Sequence, residues 1–400
     1  MLPRDFGVLK KPPALTWPKR LFNSSRPMPN PARPTADIKG RPPLSAASRR
    51  SYREPFQLAG ETVLPGEQRT IEIELAPTFS NDDLSLSVHV VRGARPGPTL
   101  FVCAALHGDE INGVEIVRRV VRSLDTRRMA GTLLAIPIVN VYGFNMHSRY
   151  LPDGRDLNRS FPGSSSGSLT GRLADTFMKE IVARSNYGID LHTGGRHRSN
   201  FPQVRAELDD PEVQAIAEAF GAPIIIDSRV RDGSLREYAT ENGVPVILYE
   251  SCEALRFDEV YIRAGVKGVQ NVMRHIGMLR KSRAKVKNKP IVSKATQWIR
   301  SPGSGIHRVL VPLGGQVEKG QVIGVVADPL GFEEVEVTAS VAGIVIGRSN
   351  LPTVYEGDAL FHIAKVSART EFEYEEFHEE LLPSDYSHDQ GDPTEAPIAG

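Results

Sequence analysis

The 400-residue chain carries 49 basic against 48 acidic residues, 40% hydrophobic side chains and two cysteines. That length exceeds the usual single domain, and the near-neutral balance gives no global attraction to nucleic acid or to a membrane surface. Two cysteines exclude a disulfide scaffold, and no apolar run reaches the roughly 18 residues that a membrane helix needs.

Residues 1–53 are rich in Pro, Arg and Lys and hold few acids. They lack the apolar core of a secretory signal, and ten prolines before Tyr52 oppose the amphipathic helix of an organelle transit peptide. This stretch reads as a disordered extension, with Met28 as an alternative start. From Thr70 the pattern changes. Ile71, Ile73 and Leu75 alternate with polar partners, as do Leu84, Leu86, Val88 and Val90, which predicts two strands. Leu100 to Leu106 is a continuous apolar run, read as a buried strand; Ile111, Val114, Val117, Val120, Val121 and Leu124 then recur at helical spacing. His107 and Glu110 fall at that handover, close enough in sequence for both side chains to reach one cation, and Gly108 lets the backbone turn sharply between them.

Gly131 to Val139 is a further strand. A long loop, Ser148 to Gly163, carries Arg149, Arg155, Asn158 and Arg159; structureless loops of this length in a compact domain are usually functional. Leu173 to Ile181 reads as a helix. Tyr187 to Gly195 is a strand ending in His192. Helix 211–220, strand 222–226 and short helix 235–242 follow, and Val244 to Glu250 is a strand ending in a carboxylate. A helix over about 258–279 closes the domain. Strands alternating with helices predict an α/β fold with a mixed, largely parallel sheet covered on both faces. Cys103 and Cys252 lie in apolar strand-like runs, which fits reduced thiols and a cytoplasmic protein.

Residues 281–296 form a basic linker, read as solvated rather than as a nucleic-acid contact. Beyond them the chain is all-β, and Val317-Glu318-Lys319-Gly320-Gln321-Val322-Ile323 is echoed by Val354-Tyr355-Glu356-Gly357-Asp358-Ala359-Leu360. That repeat predicts a small barrel-sandwich-like module over 297–366, similar to biotinyl and lipoyl carrier domains. Asp328 to Ser340 contains no lysine to modify, so the module reads as a cap over the site. Residues 367–400 are an acidic, disordered tail. The domain plan is therefore extension 1–53, catalytic domain 54–280, linker 281–296, module 297–366 and tail.

His107, Glu110, His192 and Glu250 all fall just past the carboxyl ends of expected strands, the edge where open α/β sheets build ligand sites. Two imidazoles and a carboxylate with one position open form the ligand set of a catalytic zinc site, one Zn2+ per chain. Glu250 is then a candidate general base, and Arg149 and Arg159 suit carboxylate capture or an oxyanion, with Asn158 as an amide donor.

These residues resemble the succinylglutamate desuccinylase and aspartoacylase family, within the wider zinc-carboxypeptidase superfamily. The matching motifs are His107-Gly108-Asp109-Glu110, Asp156-Leu157-Asn158-Arg159, Asp190-Leu191-His192-Thr193 and Glu250, over roughly Leu100 to Leu279, with the β-rich module as a further likeness. The resemblance implies a zinc-carboxypeptidase-like fold, zinc on His107, Glu110 and His192, Glu250 as base, and Arg149 polarising the scissile carbonyl. It also implies Asn158 with Arg159 on a substrate carboxylate, and Arg236 as a further contact. Two departures bear on substrate: the Arg149 to Asn158 loop is about two residues longer than in aspartoacylases, and Ser251-Cys252-Glu253 replaces the usual glycine after the base.

The expected activity is hydrolysis of the amide of an N-acylated amino acid or similar small carboxylate-bearing amide. A carboxypeptidase-like enzyme acting on a short peptide is the second reading, and a metal-retaining binding or scaffold protein the third. No membrane partner is expected, and homo-oligomerisation stays open.

Overall fold

The computed structural model describes residues 55–77, 81, 83–281 and 289–366. The expected extension 1–53 and tail 367–400 lie outside the described residues. The first strands are β1 (Phe56–Leu58) and β2 (Glu61–Val63), a small antiparallel pair, then β3 (Gln68–Glu74) and β4 (Ser85–Arg92). β5 (Arg95–Ala104) hands over to α1 (Asn112–Arg122); β6 (Ala130–Ile136) leads into α2 (Val141–Asn145), a single 3-10 turn at Leu157–Arg159, and α3 (Leu169–Glu180). β7 (Tyr187–Gly194), β8 (Arg198–Ala206), α4 (Pro211–Phe220), β9 (Ile224–Asp227), α5 (Leu235–Glu241), β10 (Val246–Glu253) and α6 (Glu259–His275) follow.

Four adjacent strands, β10, β7, β5 and β6, run parallel; β8 borders β10 and β4 borders β6 antiparallel, making the sheet mixed with a parallel core. Alternation along β5 shows why both faces are covered. Leu100, Val102 and Ala104 join a core with α1, α4 and α6, whereas Phe101 and Cys103 join one with α3 and α5. Successive side chains point to opposite faces, so a run apolar at every position has to be buried twice.

β8 has no counterpart among the elements expected from the sequence. Its sequence, Arg198-Ser-Asn-Phe-Pro-Gln-Val-Arg-Ala206, is polar and interrupted by proline, and carries no strand pattern. Opposite Ser251 of β10, β8 places two residues, Phe201 and Pro202, so the proline sits at a bulge where no ladder donor is required.

The segment read as a linker contains β11 (Ile291–Ser293), which lies parallel to β9 because Ile291 and Val292 extend the Ile224-Ile225-Ile226 edge. β12 (Thr296–Arg300), β13 (Gly305–Val309), β14 (Gln316–Val317), β15 (Val322–Ala327), β16 (Glu334–Thr338), β17 (Gly343–Ser349), β18 (Thr353–Val354) and β19 (Ala359–Lys365) complete the described chain. The sequence repeat becomes two strand-turn-strand units, β14–β15 and β18–β19. Their turns pivot on Gly320 (φ +88°) and Gly357 (φ +86°), a region that glycine enters without a Cβ penalty. The module is not a separate body at the sheet level: Gly347, Arg348 and Ser349 of β17 pair with Asn200, Ser199 and Arg198 of β8. β12, β19 and β17 thereby continue the large sheet.

Among the described residues no helix is long and apolar enough to cross a membrane.

Candidate active site

The strand-end residues meet. Glu110 accepts contacts from both imidazoles: His107 Nδ1 lies 2.7 Å from its Oε1, and His192 Nδ1 lies 2.7 Å from its Oε2. One ligand atom from each of the three falls within 4.8 Å of the others, and all three residues are buried. Behind each imidazole stands a carboxylate. His107 Nε2 is 3.1 Å from Asp156 Oδ1, and His192 Nε2 is 2.8 Å from Asp190 Oδ2. Hydrogen held on Nε2 by these outer carboxylates would leave both Nδ1 atoms free for a cation at the shared point, the arrangement that second-shell carboxylates impose on metal-binding histidines. Two borderline nitrogen donors and one carboxylate suit zinc.

Local backbone explains the convergence. β5 delivers His107 through Ala105, held at φ +48°, so the sharp turn is at residue 105. Gly108 serves a different purpose from the expected turn: a Cβ there would sit 2.1 Å from the Gly143 carbonyl carbon, so the residue is glycine because two backbones touch. On the parallel neighbours β7 and β10, His192 and Glu250 stand in register.

Charge follows the geometry. Burial alone would raise the Glu110 carboxyl, but the two imidazoles outweigh it and hold the group well below the carboxylate range. For His107 and His192 burial pulls downward, and the surrounding carboxylates, Glu110 and Asp156 for one, Asp190 and Glu110 for the other, raise both.

Arg149 reaches the same centre. Its Nη1 donates to Glu110 Oε1 at 3.2 Å and its Nη2 to Asp156 Oδ2 at 2.9 Å. Asn158 spends its amide oxygen on the Leu235 N–H at the start of α5 (2.9 Å), leaving its NH2 for a ligand. Arg159 follows it into the pocket wall. Arg236, on α5, is 7% exposed, and its Nη1 is buried without a partner. Burial first, and the nearby Arg205 second, push its guanidinium down to about 10.

Glu250 stands in the same cavity of about 450 Å³. Asn200 Nδ2 donates to its Oε2 at 2.7 Å, and Arg205 Nε lies 3.3 Å from the same oxygen, an ion pair without hydrogen-bond alignment. All eight residues singled out from the sequence therefore line one pocket. Sequence reasoning passed over Asn200 and Arg205, which sit on the unrecognised β8. Asp156 and Asp190 stand in the sequence as parts of the motifs, and for Asp190 a carboxylate two positions before a strand-end histidine is a usable signal. Trp298, Arg300 and His362, from the module, also line the cavity.

A relative from Halomonas elongata, N-alpha-acetyl-L-2,4-diaminobutyric acid deacetylase, is 30% identical over 342 residues, covering 76% of this chain and 97% of its own length. Residues 96–276 match the family described as the succinylglutamate desuccinylase/aspartoacylase catalytic domain. The chain belongs to the succinylglutamate desuccinylase/aspartoacylase family. Solved structures of that family share the fold with this member. The product-bound ectoine utilization protein EutE (DoeB) from Ruegeria pomeroyi superposes with a TM-score of 0.69 at 23% identity, over 78% of this chain and 99% of its own. A succinylglutamate desuccinylase/aspartoacylase from Rhodobacter sphaeroides gives 0.66 at 23% identity, over 76% and 96%.

Proposed function

We propose that this family member is a zinc-dependent deacylase that hydrolyses the amide of a small N-acyl amino acid. The observation that carries the reading is the pair of imidazoles turned onto Glu110, each backed by a carboxylate, with Glu250 facing the same cavity. His107, Glu110 and His192 would hold the metal. Zinc in such a set supplies Lewis-acid polarisation and acidifies a water toward a pKa of about 7.

The chain's own groups do the rest. Asn158, Arg159 and Arg236 receive the substrate carboxylate; a buried guanidinium with an unmet donor gains most from an anion. Glu250, oriented by Asn200 and Arg205, takes a proton from the attacking water as its oxygen adds to the acyl carbon. Arg149 neutralises charge growing on the carbonyl oxygen. Glu250 then returns the proton to the departing nitrogen as the C–N bond breaks, giving a carboxylic acid and a free amine. A pocket of about 450 Å³ closed on one side by the module favours a small substrate over an extended peptide. The named substrate of the Halomonas relative is of this class, which supports the same reading here.

The test is metal content with amine release from N-acetyl, N-succinyl and peptide substrates, for wild type and Glu250→Gln. One zinc per chain in both proteins, with the rate in the variant down by about 10²–10⁴, is the expected result. Equal rates would remove Glu250 from the chemistry, and absence of bound metal after zinc loading would overturn the ligand assignment.

A further inference from the structure

Glu250 is held through one oxygen. Asn200 Nδ2 and Arg205 Nε both approach its Oε2, and among the described residues no hydrogen bond or ion pair reaches Oε1, the oxygen left for a water. An ionised carboxylate only accepts, so the Asn200 amide has to present its NH2 to Glu250 and turn its oxygen elsewhere. Whatever seats that oxygen sets the direction of the donor. Asn200 is 6% exposed and stands on β8 between Cys252 of β10 and Gly347 of β17.

Gly347 belongs to the module. A Cβ there would lie 2.9 Å from Asn200 Oδ1, against 3.3 Å from His362 Cβ and 3.6 Å from the Ser199 carbonyl oxygen. The closest atom is therefore the end of a side chain. At Gly343 on the same strand a Cβ would instead meet the Ala364 carbonyl oxygen at 2.0 Å, a backbone collision. A methyl at 347 is accommodated by moving the Asn200 amide while the strands stay in place. β17 is also pinned at this point. Its pairing with β19 slips between Val345 and Gly347, which leaves Ile346 as a bulge. The Ile346 carbonyl accepts from Gln203 Nε2 at 3.1 Å, and Gln203, fully buried, is the β8 residue opposite Glu250 on β10. Two side chains of β8 thus join the module to the strand that carries the base.

We propose that Gly347 is a positioning residue for the general base: the space it leaves seats Asn200 Oδ1 and so aims the Asn200 NH2 at Glu250. The module then contributes to the chemistry through its backbone as well as through the pocket wall. The proposal deepens the deacylase reading and rests on it for what Glu250 does, but not for where Asn200 points.

The test reads the amide and the reaction separately, on zinc-loaded full-length protein. Asparagine side chains are isotopically labelled at nitrogen for NMR, and the Asn200 NH2 pair is assigned by its loss in Asn200→Ala. A hydrogen bond to a carboxylate moves one NH2 proton downfield, and Glu250→Gln gives the position without that charge. Gly347→Ala should carry the Asn200 pair toward the Glu250→Gln position. Turnover is then measured on whichever N-acetyl or N-succinyl amino acid the wild type hydrolyses fastest. Gly347→Ala should lower kcat by about 10–100-fold with KM within about twofold, the pattern of a misplaced catalytic group. In an Asn200→Ala background the same change should cost less than about twofold, because the methyl has no amide left to displace. An Asn200 pair unmoved in Gly347→Ala, a wild-type kcat in that variant, or an equal loss in both backgrounds would each overturn the positioning role. If Gly347→Ala alone does not fold, Asn200→Ala should restore folding, and a double variant that stays unfolded would overturn it too. An amide that shifts as expected in a chain that hydrolyses none of these substrates would sink the deacylase reading alone.

Discussion

Asp190→Asn isolates the contribution of charge behind the proposed metal site. The Asp190 side chain is buried at 1% exposure, with Oδ2 2.8 Å from His192 Nε2 and Oδ1 3.4 Å from the Cys103 thiol, which donates to it. Asparagine has the same shape and can keep an oxygen on His192, but its NH2 then faces sulfur, a weak acceptor, and the negative charge is gone. Outer carboxylates of this kind are typically worth about 10–100-fold in metal affinity, or about 1.4–2.8 kcal/mol. Because the asparagine retains one hydrogen bond, the expected loss is at the lower end, about tenfold, while Asp190→Ala, which leaves Nε2 unpaired and opens a cavity, should reach about 100-fold. Zinc affinity would be measured by competition with a chromogenic chelator at neutral pH, with thermal unfolding of the metal-free proteins as the control for fold. An affinity within twofold of wild type for both variants, in folded protein, would refute the claim that Asp190 orients and charges a ligand.

Arg236→Met should separate binding from stability. The guanidinium pKa is lowered from 12.5 to about 10, so while it is protonated in both states, below about pH 10, it costs up to about 3 kcal/mol, a cost relieved as pH rises through that value. The variant should melt higher without ligand and show a raised KM; a lower Tm would contradict the account. Gly108→Ala should destabilise the fold by more than about 2 kcal/mol in urea unfolding, since its methyl collides with the Gly143 backbone, and a neutral result would show that contact to be soft. His362, held down to about 3, stays neutral where the unfolded chain protonates, so it withdraws stability as pH falls from about 6.5 to 3. His362→Asn should flatten that acid limb in unfolding measured across pH, and identical profiles would remove the residue from the balance.

How much was legible depended on what each stretch encodes locally. The β5 to α1 handover reads directly because a doubly buried strand is apolar at every position and an amphipathic helix at every third or fourth, so His107 and Glu110 stood out against both patterns. His192 and Glu250 were found for the same reason, at the ends of parallel-core strands. β8 escaped because a strand walling a charged pocket must carry arginine and asparagine, and because its proline is tolerated only through a bulge visible in the partner strand. With β8 went Asn200, Arg205 and Arg198. The module's contribution was illegible in a different sense: alternation in β12 and β19 says that Trp298 and His362 share a face, but only the pairing of β17 with β8 turns that face toward the cavity. At Gly108 the residue was noticed and the reason was not, since close approach of Gly143 is a tertiary fact.

The seam between β8 and β17 has a consequence for biosynthesis. β10, which pairs with β8 along one side, leaves the ribosome long before β17, and until Gly347 reaches Asn200 the amino-terminal half of β8 is an unpaired edge on an otherwise assembled sheet. Open edges recruit other strands, including those of neighbouring nascent chains. Arg198, at the start of that edge, puts a charge where a foreign strand would dock, so the same side chain that faces the finished pocket guards the unfinished sheet.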